Sequence, residues 1–368
     1  MKPKFVIAIE DDFEIMGNGT GHVAYHQHYP AKMLMNIARC RDIKLSFMVE
    51  TAHRLVLERL KNTCRSINTQ AHLWDDTVLE MLESGFDVQL HLHPQWLDAK
   101  YTNGQFELGN IWNIGKFTHQ DQQALISNSL KLLNGLAAEV DNNHKIISFK
   151  AGSWGMQPSS SLLFILADNG IKIVMGVRQG MFFPEAGIDY RKLEESCQPY
   201  HPDFANIERV GPKSDITIIP LQPFAPDLLT FARYAFNQLS DRYRYSNNIN
   251  YLHTQKISGK IKQTSPLGSK KINFSLHPYK THLKIGNQRF SYLKTSFDTV
   301  IRNFQNSDLP LIPIVIECHT KQIHNYVRDI ERFLDYILEK YEDMVEFDDM
   351  TGLAKKIAAG AIKVKSRS

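Results

Sequence analysis

Phe86-Asp87-Val88-Gln89-Leu90-His91-Leu92-His93-Pro94-Gln95 is a short apolar run that ends in two histidines and a proline. On a strand, alternate side chains share a face, so the imidazoles of His91 and His93 point into one space. Pro94 cannot donate to a ladder and marks where the strand stops. Gly85 just ahead closes a helical pattern over Trp74–Ser84. Two neutral imidazoles at a strand end suit a divalent transition metal, zinc above all, with a carboxylate as the usual third ligand.

The same rhythm extends in both directions. Short apolar runs at Phe5–Ile9, Lys44–Val49, Asp87–Leu92, Ile146–Phe149, Ile171–Met175, Ile216–Ile219, Pro313–Cys318 and Met344–Phe347 read as strands covered on both faces. Amphipathic stretches between them, Pro30–Cys40, Thr51–Cys64, Gln120–Ala138, Ser159–Asn169 and Ile323–Tyr341, read as helices. Alternation of strand and helix predicts a parallel sheet with right-handed crossovers, and seven or eight units favour a barrel. In such barrels the reactive groups gather at the carboxyl ends of the strands. Asp12, the His91/His93 pair, Lys150 and His319 all lie at or just past such ends.

The chain has 368 residues, 43% of them hydrophobic, which is ample for one large core. A net charge of +4 gives no overall electrostatic case for nucleic acid. The four cysteines, Cys40, Cys64, Cys197 and Cys318, are scattered and suggest neither disulfides nor a Cys-x-x-Cys site. No run approaches the roughly 18 to 20 apolar residues of a membrane span, and no secretory leader is evident, so a cytoplasmic protein is expected. Residues 1–352 read as one barrel domain. The Asn-, Ser-, Lys- and Pro-rich stretch of about 178–306 reads as an insertion on its rim, with Asn273–Leu276 a further candidate strand. Residues 353–368 read as a basic, solvated tail.

Glu10-Asp11-Asp12 follows the first strand, and three adjacent carboxylates there call for a neutralising cation. Phe149-Lys150-Ala151-Gly152-Ser153-Trp154-Gly155 offers a lysine to hold a carboxylate ionised, glycines for close backbone approach and a Trp face for a sugar ring. An unperturbed imidazole titrates near neutral pH, which would suit His319 as a general acid for an amine leaving group. Cys318 reads as core. A second cluster, His22, His26 and His28, lies in a Gly-rich loop and reads as substrate contact or surface, since a rigid scaffold places ligands better.

The ordered set of Asp11-Asp12, His91-Leu92-His93-Pro94, Lys150-Ala151-Gly152 and His319 resembles the polysaccharide deacetylase superfamily, carbohydrate esterase family four. It is most similar to the branch associated with lipopolysaccharide and O-antigen biosynthesis. The resemblance implies an irregular (β/α)7 barrel holding one divalent metal, Zn2+ first, through Asp12, His91 and His93. It implies Asp11 as base, His319 as acid, and Lys150 where the family usually has an arginine that orients the base. Trp154, Gly152 and Trp96 would contact substrate. The implied activity is removal of an N-acetyl or related acyl group from a sugar or polysaccharide precursor. Phe13 stands where the family has Gly, so the register of Glu10, Asp11 and Asp12 stays open. One residue separates the histidines where the family has three. The competing readings are a catalytically silent carbohydrate-binding relative and a metal-dependent hydrolase of another C–N bond.

Overall fold

The computed structural model describes residues 3–102, 105–194, 196–244 and 280–367. Asn273–Leu276, a candidate strand by sequence, lies outside the described residues. Eight strands form the main sheet: β1 Lys4–Phe13, β2 Ser46–Glu50, β3 Asp87–Leu92, β4 Ser148–Ala151, β5 Ile173–Met175, β6 Thr217–Ile218, β7 Leu311–His319 and β8 Val345–Phe347. Every pairing among them is parallel, in the order β6-β5-β4-β3-β2-β1-β7. β8 pairs with Phe5–Ile7 of β1, while β2 pairs with Glu10–Phe13 on the same strand.

The helices are α1 Tyr29–Arg39, α2 Thr51–Leu60, α3 Arg65–Glu83, α4 His119–Val140, α5 Ser160–Asp168, α6 Leu228–Arg244, α7 Phe290–Phe304, α8 Val327–Lys340 and α9 Met350–Ala358, and all but α6 and α9 cover the outer face. Polar groups start several of them. The Glu50 carboxylate accepts from the Ala52 and His53 amides at the head of α2, and Thr118 and Asp349 cap α4 and α9.

The sheet curls into a barrel that closes without a ladder between β6 and β7. The gap is bridged instead by single contacts. Val315 donates to Gln222 Oε1 at 2.8 Å, Phe224 pairs with Thr281, and Lys284 pairs with Glu317.

The period of two sorts each strand into two cores. Phe5, Ile7, Ile9 and Phe13 face the helices, as do Val88, Leu90 and Leu92. Val6 and Ala8 face the barrel axis and pack with Ile173, Val315, Met350, Leu353 and Ile362. The last three belong to the stretch expected to be a solvated tail or to border it. That expectation is corrected here: α9 and the strand-like residues after it plug the barrel, and Lys365 exchanges backbone hydrogen bonds with Pro199 and His201. The rim insertion is also shorter than expected, because α7 is the barrel's own crossover helix into β7.

Candidate metal centre

β1 runs four residues beyond the end expected for it, so Glu10, Asp11 and Asp12 lie within the strand and not after it. Alternation then puts Glu10, Asp12 and, just past the strand, Glu14 toward the barrel axis, and sends Asp11 to the opposite face. β7 behaves the same way in register. Glu10 is opposite Glu317 and Asp12 opposite His319, both inward, while Asp11 is opposite Cys318, outward. All of these side chains are buried.

His91 and His93 share the inward face, as the strand reading requires, with ring centroids 4.9 Å apart. The carboxylate that meets both is Glu14. Its Oε2 is 2.5 Å from His93 Nε2 and 3.7 Å from His91 Nε2. Asp12, expected as the third ligand, lies 3.9 Å from His91 Nε2. Its closer partners are Lys150 Nζ at 2.8 Å and His319 Nε2 at 3.3 Å. Glu14 therefore stands between two groups whose ligand atoms converge within 4.8 Å: Glu14, His91 and His93 on one side, Asp12, Glu14 and His319 on the other. Lys321 closes on the remaining oxygen of Glu14.

Local hydrogen bonds orient the imidazoles. His91 Nδ1 donates to the Lys150 carbonyl at 3.0 Å, which leaves the Nε2 lone pair aimed at the carboxylates. That Nε2 is buried and has no hydrogen-bond partner among the described residues. His93 Nδ1 is held by the Gln95 amide at 2.9 Å. Gly152 is the residue that lets the two strands come this close. A Cβ there would fall 2.5 Å from the His93 ring. These residues fit a divalent cation: a buried imidazole lone pair without a proton to accept, a second imidazole and a carboxylate within reach of both.

Lys150 is the electrostatic hub. Its Nζ contacts Glu10 at 2.6 Å, Asp12 at 2.8 Å and Glu317 at 3.1 Å. Burial works against its charge, but these carboxylates win and raise its pKa well above the usual lysine range. For Asp12, burial pushes upward and Lys150, His91 and His319 overcome it, leaving the acid below its ordinary value. Glu14 is likewise held down, by Lys321 and His93 against burial. Glu317 is also held low, by Lys150, Lys284 and His282. Glu10 goes the other way, raised by its complete burial. Burial takes His319 down to about 3, so it is neutral at rest.

Asp11, Trp96 and the cluster of His22, His26 and His28 sit elsewhere. Asp11 makes no contact with Lys150 or the histidines; burial carries it up to about 8, and the Cys318 thiol is its hydrogen-bonding neighbour. Trp96 is buried and stacks on His53 with centroids 4.5 Å apart, so it is core and not a substrate platform. His26 and His28 are not in a loop: they end a short helical turn over Ala24–His28 that leads into α1, and His28 bonds Thr77, whereas His22 stays in the loop just ahead of that turn. Trp154 does border the site. It is half-buried, donates to Glu317 at 3.3 Å and stacks on Phe183.

Sequence reasoning missed Glu14, Glu317, Lys321, His282 and Lys284. The signal for Glu14 was present, since it follows Glu10 and Asp12 at the same period of two that made His91 and His93 a pair.

No family model and no curated protein matches the chain. Solved structures do. A protein of Mycobacterium smegmatis assigned as a polysaccharide deacetylase aligns over 100% of this chain and 93% of its own, with a TM-score of 0.55 at 11% identity. A glycoside hydrolase/deacetylase of Parabacteroides distasonis aligns over 96% of this chain and 71% of its own, with a TM-score of 0.53 at 10% identity. The fold is the open parallel β/α barrel of the polysaccharide deacetylase kind.

Proposed function

We propose that the chain is a metal-dependent hydrolase that removes an N-acetyl or related acyl group from a sugar or polysaccharide precursor. The observation that carries this reading is the convergence of His91, His93 and Glu14 at the carboxyl ends of β1 and β3, beside an ionised Asp12. The deacetylase-type barrel found in the similar structures supports it.

In this reading Glu14, His91 and His93 hold the ion, zinc by preference, because two imidazoles and a carboxylate are its usual ligands. When bound, such an ion supplies Lewis acidity, drawing electron density from an acyl carbonyl and lowering the pKa of water. Asp12 replaces Asp11 as the base. Lys150 keeps it ionised and fixed, so it can take a proton from the attacking water. The proton Asp12 takes passes across the 3.3 Å contact to His319, neutral at rest, which delivers it to the departing nitrogen. Trp154, at the edge of this cluster, presents the apolar ring face against which a pyranose packs.

The test is zinc content together with acetate release from N-acetylated oligosaccharides. Purified wild-type protein should carry zinc and lose activity to a chelator. Glu14→Gln should lose most of the metal and roughly a hundredfold or more in kcat, the scale of an electrostatic or acid–base contribution. Wild-type zinc content and turnover in Glu14→Gln would refute the assignment.

A further inference from the structure

The end of the barrel opposite the metal centre holds a groove of about 980 Å³. The amino ends of β4, β5 and β6 form one wall, and α9 with the residues after it forms the other. Its apolar lining is aliphatic: Ile147, Ile173, Ala354, Ile357, Ile362 and Val364 contribute, and among the described residues no Phe, Tyr or Trp does. Its charged lining is basic. Lys145, Lys172, Lys213, Lys355 and Lys363 stand against two acids, Asp141 and Asp215. Asp215 lies 3.7 Å from Lys172, and Lys145 donates to the Asn142 carbonyl at 3.3 Å. Lys213, Lys355 and Lys363 are exposed and have no hydrogen bond or ion pair among the described residues. Lys356 and Lys365, from the same terminal stretch, are instead tied to Asp348 and Glu194. His144, His201, Ser214 and Thr351 also line the groove, and each is hydrogen-bonded within the fold. Three free ammonium groups beside an aliphatic surface are what the fold leaves for a ligand.

We propose that this groove binds a free single-chain anionic amphiphile, with its alkyl chain on the aliphatic lining and its carboxylate or phosphate among Lys213, Lys355 and Lys363. The volume is that of a small-molecule site, mostly apolar with a few convergent polar groups. An alkyl chain gains by leaving water against isoleucine and valine. The acid head group gains charge-assisted hydrogen bonds from ammonium groups that have no other partner. A nucleotide or a sugar would call for an aromatic face to stack on, and the groove has none among the described residues. A metal cation or a basic partner is repelled by the lysines. A peptide would lay amides along a surface that offers them methyl groups, which leaves those amides poorly paired. The inference does not depend on which bond the metal centre cleaves.

The experiment is isothermal titration calorimetry of the full chain with sodium dodecanoate below its micellar concentration. Dodecyltrimethylammonium, with the same chain and the opposite charge, and acetate, with the head group and no chain, serve as comparisons. Wild-type protein should bind one dodecanoate saturably and neither comparison. The double variant Lys355→Gln, Lys363→Gln should bind dodecanoate roughly tenfold or more weakly, with unchanged circular dichroism, since both side chains are exposed and unpaired. Ala358→Glu, at another exposed position lining the groove, should weaken binding by repelling the head group. Absence of saturable dodecanoate binding overturns the proposal, as does equal binding of dodecyltrimethylammonium or wild-type affinity in either variant. Flotation with phosphatidylglycerol vesicles in the absence of dodecanoate binding would overturn it in favour of a membrane surface. Binding of a glutamate-rich peptide in place of dodecanoate would overturn it in favour of an acidic protein segment.

Discussion

Asp11 and Asp12 are neighbours in the chain but face opposite sides of the sheet, and their electrostatics diverge accordingly. Asp12 faces Lys150 across the barrel interior and is held below its ordinary pKa despite burial. Asp11 lies against Cys318 on the helix side, where burial lifts it to about 8. A carboxyl raised in the fold contributes stability that is complete below its ordinary value near 3.8 and is lost as the pH climbs through about 8. Asp11→Asn cannot ionise and escapes that loss. The melting temperature of the variant minus that of wild type should therefore increase from pH 4 to pH 9, measured by thermal scans across that range. Acyl-hydrolase turnover should stay within a few-fold of wild type. A loss on the order of a hundredfold, the usual cost of a missing base, would return Asp11 to the chemistry.

Elements meet at Lys150, which brings one ammonium from β4 against acids from β1 and β7. Lys150→Met would leave Glu10, Asp12 and Glu317 buried without their shared cation. Removing one partner of a buried pair typically costs about 3–5 kcal/mol. Asp12 and Glu317 are depressed acids, so their contribution is present above their unfolded pKa values and lost as the pH falls through the folded ones. The deficit of Lys150→Met should accordingly be widest near neutral pH and narrow in acid, as urea titrations at pH 4 and pH 7 would show. A pH-independent deficit would mean that Lys150 acts by packing alone. This network also explains what the sequence could and could not disclose. Apolar runs such as Phe5–Ile9 announced each strand, and the spacing of His91 and His93 announced a shared face. The end of β1 was hidden because the Glu10–Phe13 stretch is acidic, and acidic residues normally leave a buried sheet. They stay in this one because Lys150 arrives from 138 residues away, which no local pattern reveals. Glu14 escaped notice for a simpler reason: the period of two was applied to β3 and not carried along β1.

At the scale of the molecule, the barrel has two dissimilar ends. The carboxyl ends of the strands hold the charged cluster, whereas the lower interior is sealed by Val6, Ala8 and Val315 against Met350, Leu353 and Ile362. The lysines of the last sixteen residues disguised this seal, because a basic terminus reads as solvated unless its few apolar residues are placed in three dimensions. Ile362 is 1% exposed, and Lys365 anchors the segment to Pro199 and His201. Ile362→Ala should leave a cavity and cost about 2–5 kcal/mol, the range for large-to-small substitutions in a packed core. Because the seal lies at the opposite end from Glu14 and the histidines, zinc content and turnover per folded molecule should be unchanged. Denaturant midpoints alongside specific activity would check both halves of this expectation. A destabilisation under about 0.5 kcal/mol, the scale of ordinary surface substitutions, would show that the barrel closes without its C-terminal plug.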